Sequence, residues 1–368
     1  MAHDTDRVMT GDAAGEEEFL EVDPFADLSD DELDALLDAG ECPLGETAGD
    51  AAADDFGETP FGMLPGTDVP PGFRSGFVAL VGRPNAGKST LLNACLGEKV
   101  AITSPVAQTT RRRMRGVLNR DDCQIVFVDT PGLHKPQDSL GGELNRSALA
   151  ELGDVDVVAF LIDATKPVGS GDAWVAERVR GARAVKILVL TKIDQATPEQ
   201  VSAQLDRAHE LMSFDDEIVI SSVEGFNVDA FCALVAARLP EGPRWFPLDM
   251  ATDESDEMLV AEFIREKVLL LTREEVPHAV GVVTDEMTFK KHGDVLAVHA
   301  TILVERDGQK GLIIGKRGAM IKRIGSEARA DLERLFKCRV YLDLEVRVQP
   351  SWRSDVREIR RMGYAADE

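Results

Sequence analysis

Gly82-Arg83-Pro84-Asn85-Ala86-Gly87-Lys88-Ser89-Thr90 fits the spacing Gly-x-x-x-x-Gly-Lys-Ser/Thr, and it restricts the fold of this chain more than any other stretch. Such a loop works only between a buried strand and the first turn of a helix. Its two glycines let the backbone curl until consecutive N–H groups point inward at phosphate oxygens. Lys88 then reaches the β and γ phosphates, and the Ser89 hydroxyl takes one Mg²⁺ coordination position. The positive end of the helix faces the anion. The flanks agree. Gly76-Phe77-Val78-Ala79-Leu80-Val81 is an apolar run suited to a buried strand, and Thr90-Leu91-Leu92-Asn93-Ala94-Cys95-Leu96 is helix-competent.

The alternation continues. Apolar runs at 77–81, 124–128, 157–162, 185–190 and 217–220 are separated by helical patterns. This is the βαβ pattern of a mostly parallel sheet covered on both faces, an α/β domain over residues 75–240. Pro240-Glu241-Gly242-Pro243 breaks the pattern, and residues 241–256 read as a linker. A second, α+β domain follows over 257–366: a helix from about Glu257 to Leu271, strands near Val280–Phe289 and Val295–Glu305, a glycine loop, a long basic-faced helix, a strand near Val340–Val348 and a short C-terminal helix.

Charge divides the chain differently. Residues 1–72 hold 21 Asp and Glu against one basic residue, Arg7, so −20 of the net −25 sits in this tail. The remaining −5 does not argue against a nucleic-acid partner for the rest. The tail reads as mostly disordered. Within it Ser29-Asp30-Asp31-Glu32 resembles a capping box, and Leu33, Leu36 and Leu37 share one helical face. That segment reads as a transient helix in a solvated tail, with a partner-docking helix as the alternative. The tail can also compete with such a nucleic-acid partner for a basic surface further along the chain. The five cysteines, Cys42, Cys95, Cys123, Cys232 and Cys338, show no metal or disulfide spacing, which points to a reducing cytosol. No run of 18 apolar residues and no secretory signal is apparent.

Further signals follow the first loop in order. Asp129-Thr130-Pro131-Gly132 ends the strand Ile125-Val126-Phe127-Val128. An acid there can hold Mg²⁺ opposite Ser89, and the Gly132 N–H can sense a γ phosphate. Between the two lies Thr109-Thr110-Arg111. One of its threonines, Thr110 rather than Thr109, would complete the Mg²⁺ shell. Thr191-Lys192-Ile193-Asp194 follows another apolar strand. The Asp194 carboxylate can accept the ring N–H and exocyclic amine of guanine, a pattern adenine lacks, and the Lys192 stem can cover the base. Ser221-Ser222-Val223 closes the series, where a backbone N–H can meet guanine O6. An ATP-dependent kinase is disfavoured by Asp194. Leu133, next after Gly132, cannot orient water by hydrogen bonding.

Gly315-Lys316-Arg317-Gly318 fits the Gly-x-x-Gly of a KH domain, in which the glycines admit a nucleic-acid backbone and the two cations meet phosphates. Lys322 and Arg323 extend the basic surface. Ile313, Ile314, Ile321 and Ile324 can line the groove and core. From Arg306 to Arg339 ten basic residues face four acidic ones.

The first domain resembles a translation-factor-related GTPase of the Ras-like superclass, and the order of elements in the second resembles the type II KH topology. Together, over about residues 75–366, they resemble the Era family of bacterial ribosome-assembly GTPases. The likeness rests on Gly82–Asn93, Gln108–Arg111, Asp129–His134, Glu305–Lys310, Gly315–Ile324, Ser351-Trp352 and Gly363-Tyr364. The family pattern has Asn where Thr191 stands, which leaves that residue's contacts open. The resemblance implies Mg²⁺-dependent hydrolysis of GTP to GDP and phosphate. It also implies binding to the 3′ end of 16S rRNA, a role on pre-30S particles in small-subunit maturation, a monomer, and partial association with the inner face of the cell membrane. In related GTPases an asparagine at the position of Asn85 helps hold K⁺. The alternative from another class is an RNA-binding assembly factor for which GTP is only a conformational ligand.

Overall fold

The computed structural model describes residues 69–106, 109–111, 114–133, 145, 153–272, 276–290, 294–354, 359, 362 and 364. The acidic tail with its expected helix, Gln108, His134 and Gly363 lie outside the described residues.

Each of the five apolar runs forms a strand. They are β1 (Arg74–Gly82), β3 (Cys123–Asp129), β4 (Val157–Asp163), β5 (Val185–Thr191) and β6 (Asp216–Val219). A sixth strand, β2 (Met114–Asn119), was not expected: its sequence Met-Arg-Gly-Val-Leu-Asn is neither a continuous apolar run nor an alternating one. It joins the edge antiparallel to β3, with Met114 opposite Asp129 and Asn119 opposite Gln124. The sheet order is β2-β3-β1-β4-β5-β6, and every other pairing is parallel. The inner strands are buried on both faces, which is why they read as unbroken apolar runs.

Among the described residues, four helices cover the sheet. One face packs α1 (Lys88–Leu96) and α4 (Val228–Arg238) over Val78, Leu80, Ile125 and Phe127. The other packs α2 (Ser170–Val179) and α3 (Pro198–Leu211) over Ala79, Val81, Val126 and Val158. Residues 241–256, expected as a linker, run packed against this sheet. The Gln124 side chain accepts from the backbone of Trp245 and Phe246 at 2.7 and 3.0 Å, and Phe246 is buried in the second face's core.

The second layer begins with α5 (Asp256–Leu271), capped by Ser255. A short α6 (Val276–Ala279) leads into β7 (Gly281–Lys290) and β8 (Val295–Val304), then α7 (Asp307–Ile314), α8 (Ala319–Phe336) and β9 (Arg339–Val348). The sheet order is β7-β8-β9, antiparallel then parallel. α7 was not anticipated as a separate element; it ends at Gly315. The expected C-terminal helix falls largely outside the described residues, but Trp352, Ile359, Met362 and Tyr364 form a small buried cluster.

Candidate functional site

The loop after β1 follows from its residues one by one. A Cβ at Gly82 would stand 2.6 Å from the Leu161 carbonyl oxygen of the neighbouring strand, so the backbones approach closely there. Gly87 takes a left-handed φ of 92° at the head of α1. Lys88 folds back over the loop, its ammonium 3.4 and 3.3 Å from the carbonyls of Gly82 and Arg83. Burial pushes its pKa below the ordinary lysine value, against the pull of the Asp129 charge. Arg83 leaves the loop and pairs with Asp172 of α2 at 3.2 Å.

Three side chains from three segments converge beside this lysine. The Ser89 hydroxyl donates to Asp129 at 2.6 Å and lies 2.9 Å from the Thr110 hydroxyl, which is itself 3.4 Å from Asp129. Asp129 is fully buried, and burial raises its pKa despite Lys88 and the two hydroxyls. Its Oδ1 has no protein partner among the described residues. A buried carboxylate oxygen without a donor, flanked by two hydroxyls, is a donor set suited to a hard divalent cation. Of the two threonines, Thr110 is the one that reaches; the Thr109 hydroxyl donates to the Val106 carbonyl instead. Pro84, Asn85, Gly87, Lys88, Ser89, Thr90, Thr110 and Gly132 line one open cleft of about 400 Å³. Ala86 is buried beneath the loop, and the Thr130 hydroxyl bonds the Leu80 carbonyl. Past Pro131, a Cβ on Gly132 would meet Pro84 at 2.8 Å. Leu133 turns away, 1% exposed in the core behind the sheet.

A second cluster of side chains is built at the ends of β4, β5 and β6. The Thr191 hydroxyl is shared between the carbonyls of Ala86 at 2.8 Å and Ile162 at 3.1 Å, so this residue does tie the strand to the phosphate loop. Lys192, at a left-handed φ of 59°, bonds the Asn85 carbonyl at 2.7 Å and Asp163 at 2.8 Å. Asp163 was missed in the sequence, although it ends an apolar strand as Asp129 does. Burial works against its charge, but the bonds from Lys192 and Thr165 hold its carboxyl below the usual range. Ile193 opens a single tight turn. Asp194 is exposed, and the buried Ser221 hydroxyl donates to it at 2.7 Å, which lowers its pKa. Ser222 is half-buried and Val223 fully presented to solvent.

In the second layer Gly315–Gly318 forms the turn between α7 and α8. Gly315 has φ 71°, and a Cβ there would lie 2.6 Å from that of Met320. Lys316, Arg317 and Lys322 are exposed, as is Arg323, which pairs with Glu327 at 2.8 Å. Ile313, Ile321 and Ile324 go to the core rather than to a groove; Ile314 is half-buried and Leu312 exposed.

Comparison with known proteins agrees with both layers. Residues 77–192 match the model of the 50S ribosome-binding GTPase family, and residues 275–353 match that of the KH domain. Among solved structures, Era in complex with MgGDPNP and nucleotides 1506–1542 of 16S ribosomal RNA is 40% identical. The match spans 80% of this chain and all of that one, with a TM-score of 0.77. The chain belongs to the Era family of GTPases. A point variant of Aquifex aeolicus Era bound to GDP·AlF4⁻ gives the same coverage and TM-score at 39% identity. Arg265, which bonds the Thr109 carbonyl at the junction of the two layers, gave no sequence signal, because 156 positions separate the two residues.

Proposed function

We propose that this Era-family GTPase is a GTP-driven switch that binds the 3′ end of 16S rRNA and serves maturation of the small ribosomal subunit. The observation that carries the proposal is the convergence of Ser89, Thr110 and Asp129 beside Lys88, in a chain 80% of which aligns with an rRNA-bound relative. The first-domain family description names the large subunit, but that match covers one domain, whereas the match to the 16S-bound structure spans both.

Gly82–Thr90 cradles the phosphates through its backbone N–H groups, with Lys88 on the β and γ oxygens. Ser89, Thr110 and Asp129 would hold Mg²⁺, which when bound neutralises charge building on the transferred phosphoryl group. The Asp129–Gly132 turn, pressed against Pro84, reports the γ phosphate. Asp194 selects guanine, set in place by Ser221; Lys192 covers the base, and the Ser221–Val223 backbone meets its carbonyl. In the second layer the Gly315–Gly318 turn admits the RNA backbone, while Lys316, Arg317, Lys322 and Arg323 contact phosphates.

Asn85 would also help hold K⁺. Its Nδ2 donates to the Pro105 carbonyl at 2.7 Å, which leaves its Oδ1 as an oxygen at the mouth of the loop. Equal turnover in Na⁺ and K⁺ would count against this. We extend the reading to a monomer with peripheral contact at the inner membrane face; no helix among the described residues is long and apolar enough to cross a membrane.

The burial of Leu133 favours a second reading, an assembly factor for which GTP is a conformational ligand alone, because no polar side chain is offered there to the attacking water. Phosphate release from GTP, with and without a short 16S 3′-end RNA, separates the two. Turnover above background that the RNA accelerates supports the switch. Negligible turnover in both conditions supports the ligand-only reading.

A further inference from the structure

Thr110 is the one member of the Ser89–Thr110–Asp129 group that sits on a loop rather than at the end of a strand or the head of a helix. What fixes it comes from the second layer. The carbonyl of Thr109 accepts from Arg265 of α5, a guanidinium with no exposure at all, which Glu262 grips from the other side at 2.9 and 2.6 Å. The side chain of Arg111 donates to the Val280 carbonyl and lies 5.6 Å over the Trp352 ring and 5.8 Å over that of Tyr364. Both chain neighbours of Thr110 are therefore anchored on the KH side.

The approach to this segment is held in the same way. The Thr103 N–H donates to Glu266 at 2.8 Å, and Lys99 bonds both Glu266 and, at 2.7 Å, Asp331 of α8. Ile102 is buried in the core of the second layer, not the first.

We propose that Arg265 is a positioning residue of the GTPase centre: the KH layer, through Arg265 on the Thr109 carbonyl, sets the Thr110 hydroxyl beside Ser89 and Asp129. Arg265 touches neither nucleotide nor metal site. Its bond to the Thr109 carbonyl is charge-assisted and buried, where such bonds are strongest. Among the described residues it is the second layer's polar bond next to Thr110 on the N-terminal side; the one before it is Thr103 on Glu266. The inference rests on the Mg²⁺ role given above to Thr110.

The test uses the full chain and the variants Thr110→Ala, Arg265→Gln and the double variant. Two quantities are read: the Mg²⁺ concentration giving half-maximal GTP hydrolysis, and the affinity for a fluorescent non-hydrolysable GTP analogue against GDP in Mg²⁺ and in EDTA. Arg265→Gln is expected to raise the Mg²⁺ midpoint on the order of tenfold, the loss of one charge-assisted hydrogen bond. It should weaken the analogue in Mg²⁺ while leaving GDP binding and analogue binding in EDTA unchanged. The double variant should behave as Thr110→Ala alone. A Mg²⁺ midpoint unmoved in folded Arg265→Gln, or additive effects in the double variant, overturns the proposal. If Thr110→Ala itself leaves the midpoint unchanged, the assignment of Thr110 is what fails. Should Arg265→Gln not fold, Arg265→Lys and Glu262→Gln carry the same measurement, and a midpoint unchanged in both refutes the role.

Discussion

A Cβ at Gly132 would stand 2.8 Å from both the Cα and the nitrogen of Pro84, so the turn after Asp129 touches the phosphate loop backbone to backbone. Gly132→Ala is therefore expected to push the turn away while GDP binding persists. Nucleotide titrations should show the preference for a GTP analogue over GDP shrinking toward none. Thr191 makes the opposite point. Its hydroxyl holds the Ala86 carbonyl of the loop and the Ile162 carbonyl, and Thr191→Ala removes the one donor they share. A loss of about 1–3 kcal/mol in denaturant unfolding, with weaker nucleotide binding, is the expected result. Residues at this scale were legible where a motif ties residue type to position, as at Lys88, Asp129 and Asp194. Arg265 and Asp163 were not, because their meaning lies in partners brought near only by the fold.

At the scale of elements, the inner strands were readable because burial on both faces demands continuous apolar runs. β2 escaped because an antiparallel strand at the end of the sheet, bridged on its outer side only at Gly116 to Thr252, can carry Arg115, which reaches Asp253 at 2.7 Å, and Asn119. The turn between α7 and α8 was readable from its glycines, and the structure adds the reason for Gly315 in particular. Its φ of 71° and the nearby Met320 both exclude a side chain. Gly315→Asp adds a negative charge to that obstruction. RNA affinity should fall on the order of tenfold or more, about 1.4 kcal/mol, while GTP affinity stays at the parent value. Equal loss of both, with folding intact by circular dichroism, would refute the division of labour between the layers.

At the scale of the whole molecule, the two layers were foreseeable as separate chemistries, but their junction was not. The segment between α1 and β2 contributes Ile102 to the second core, Lys99 to acids on α5 and α8, and Arg111 to the Trp352–Tyr364 cluster. On the proposed reading, a change of state at Thr110 would pass through these contacts to α8, the helix that carries the Gly315–Gly318 turn, and one ligand would thereby govern the other. Lys88→Ala, which removes the cation proposed to meet the phosphates, should uncouple nucleotide from RNA without altering the KH layer. The most direct test of the account is the affinity of the full chain for a short 16S 3′-end RNA, measured in Mg²⁺ with a non-hydrolysable GTP analogue and again with GDP. The account predicts tighter binding with the analogue, and no difference between the two nucleotides in Lys88→Ala; equal affinities in the parent protein would contradict it.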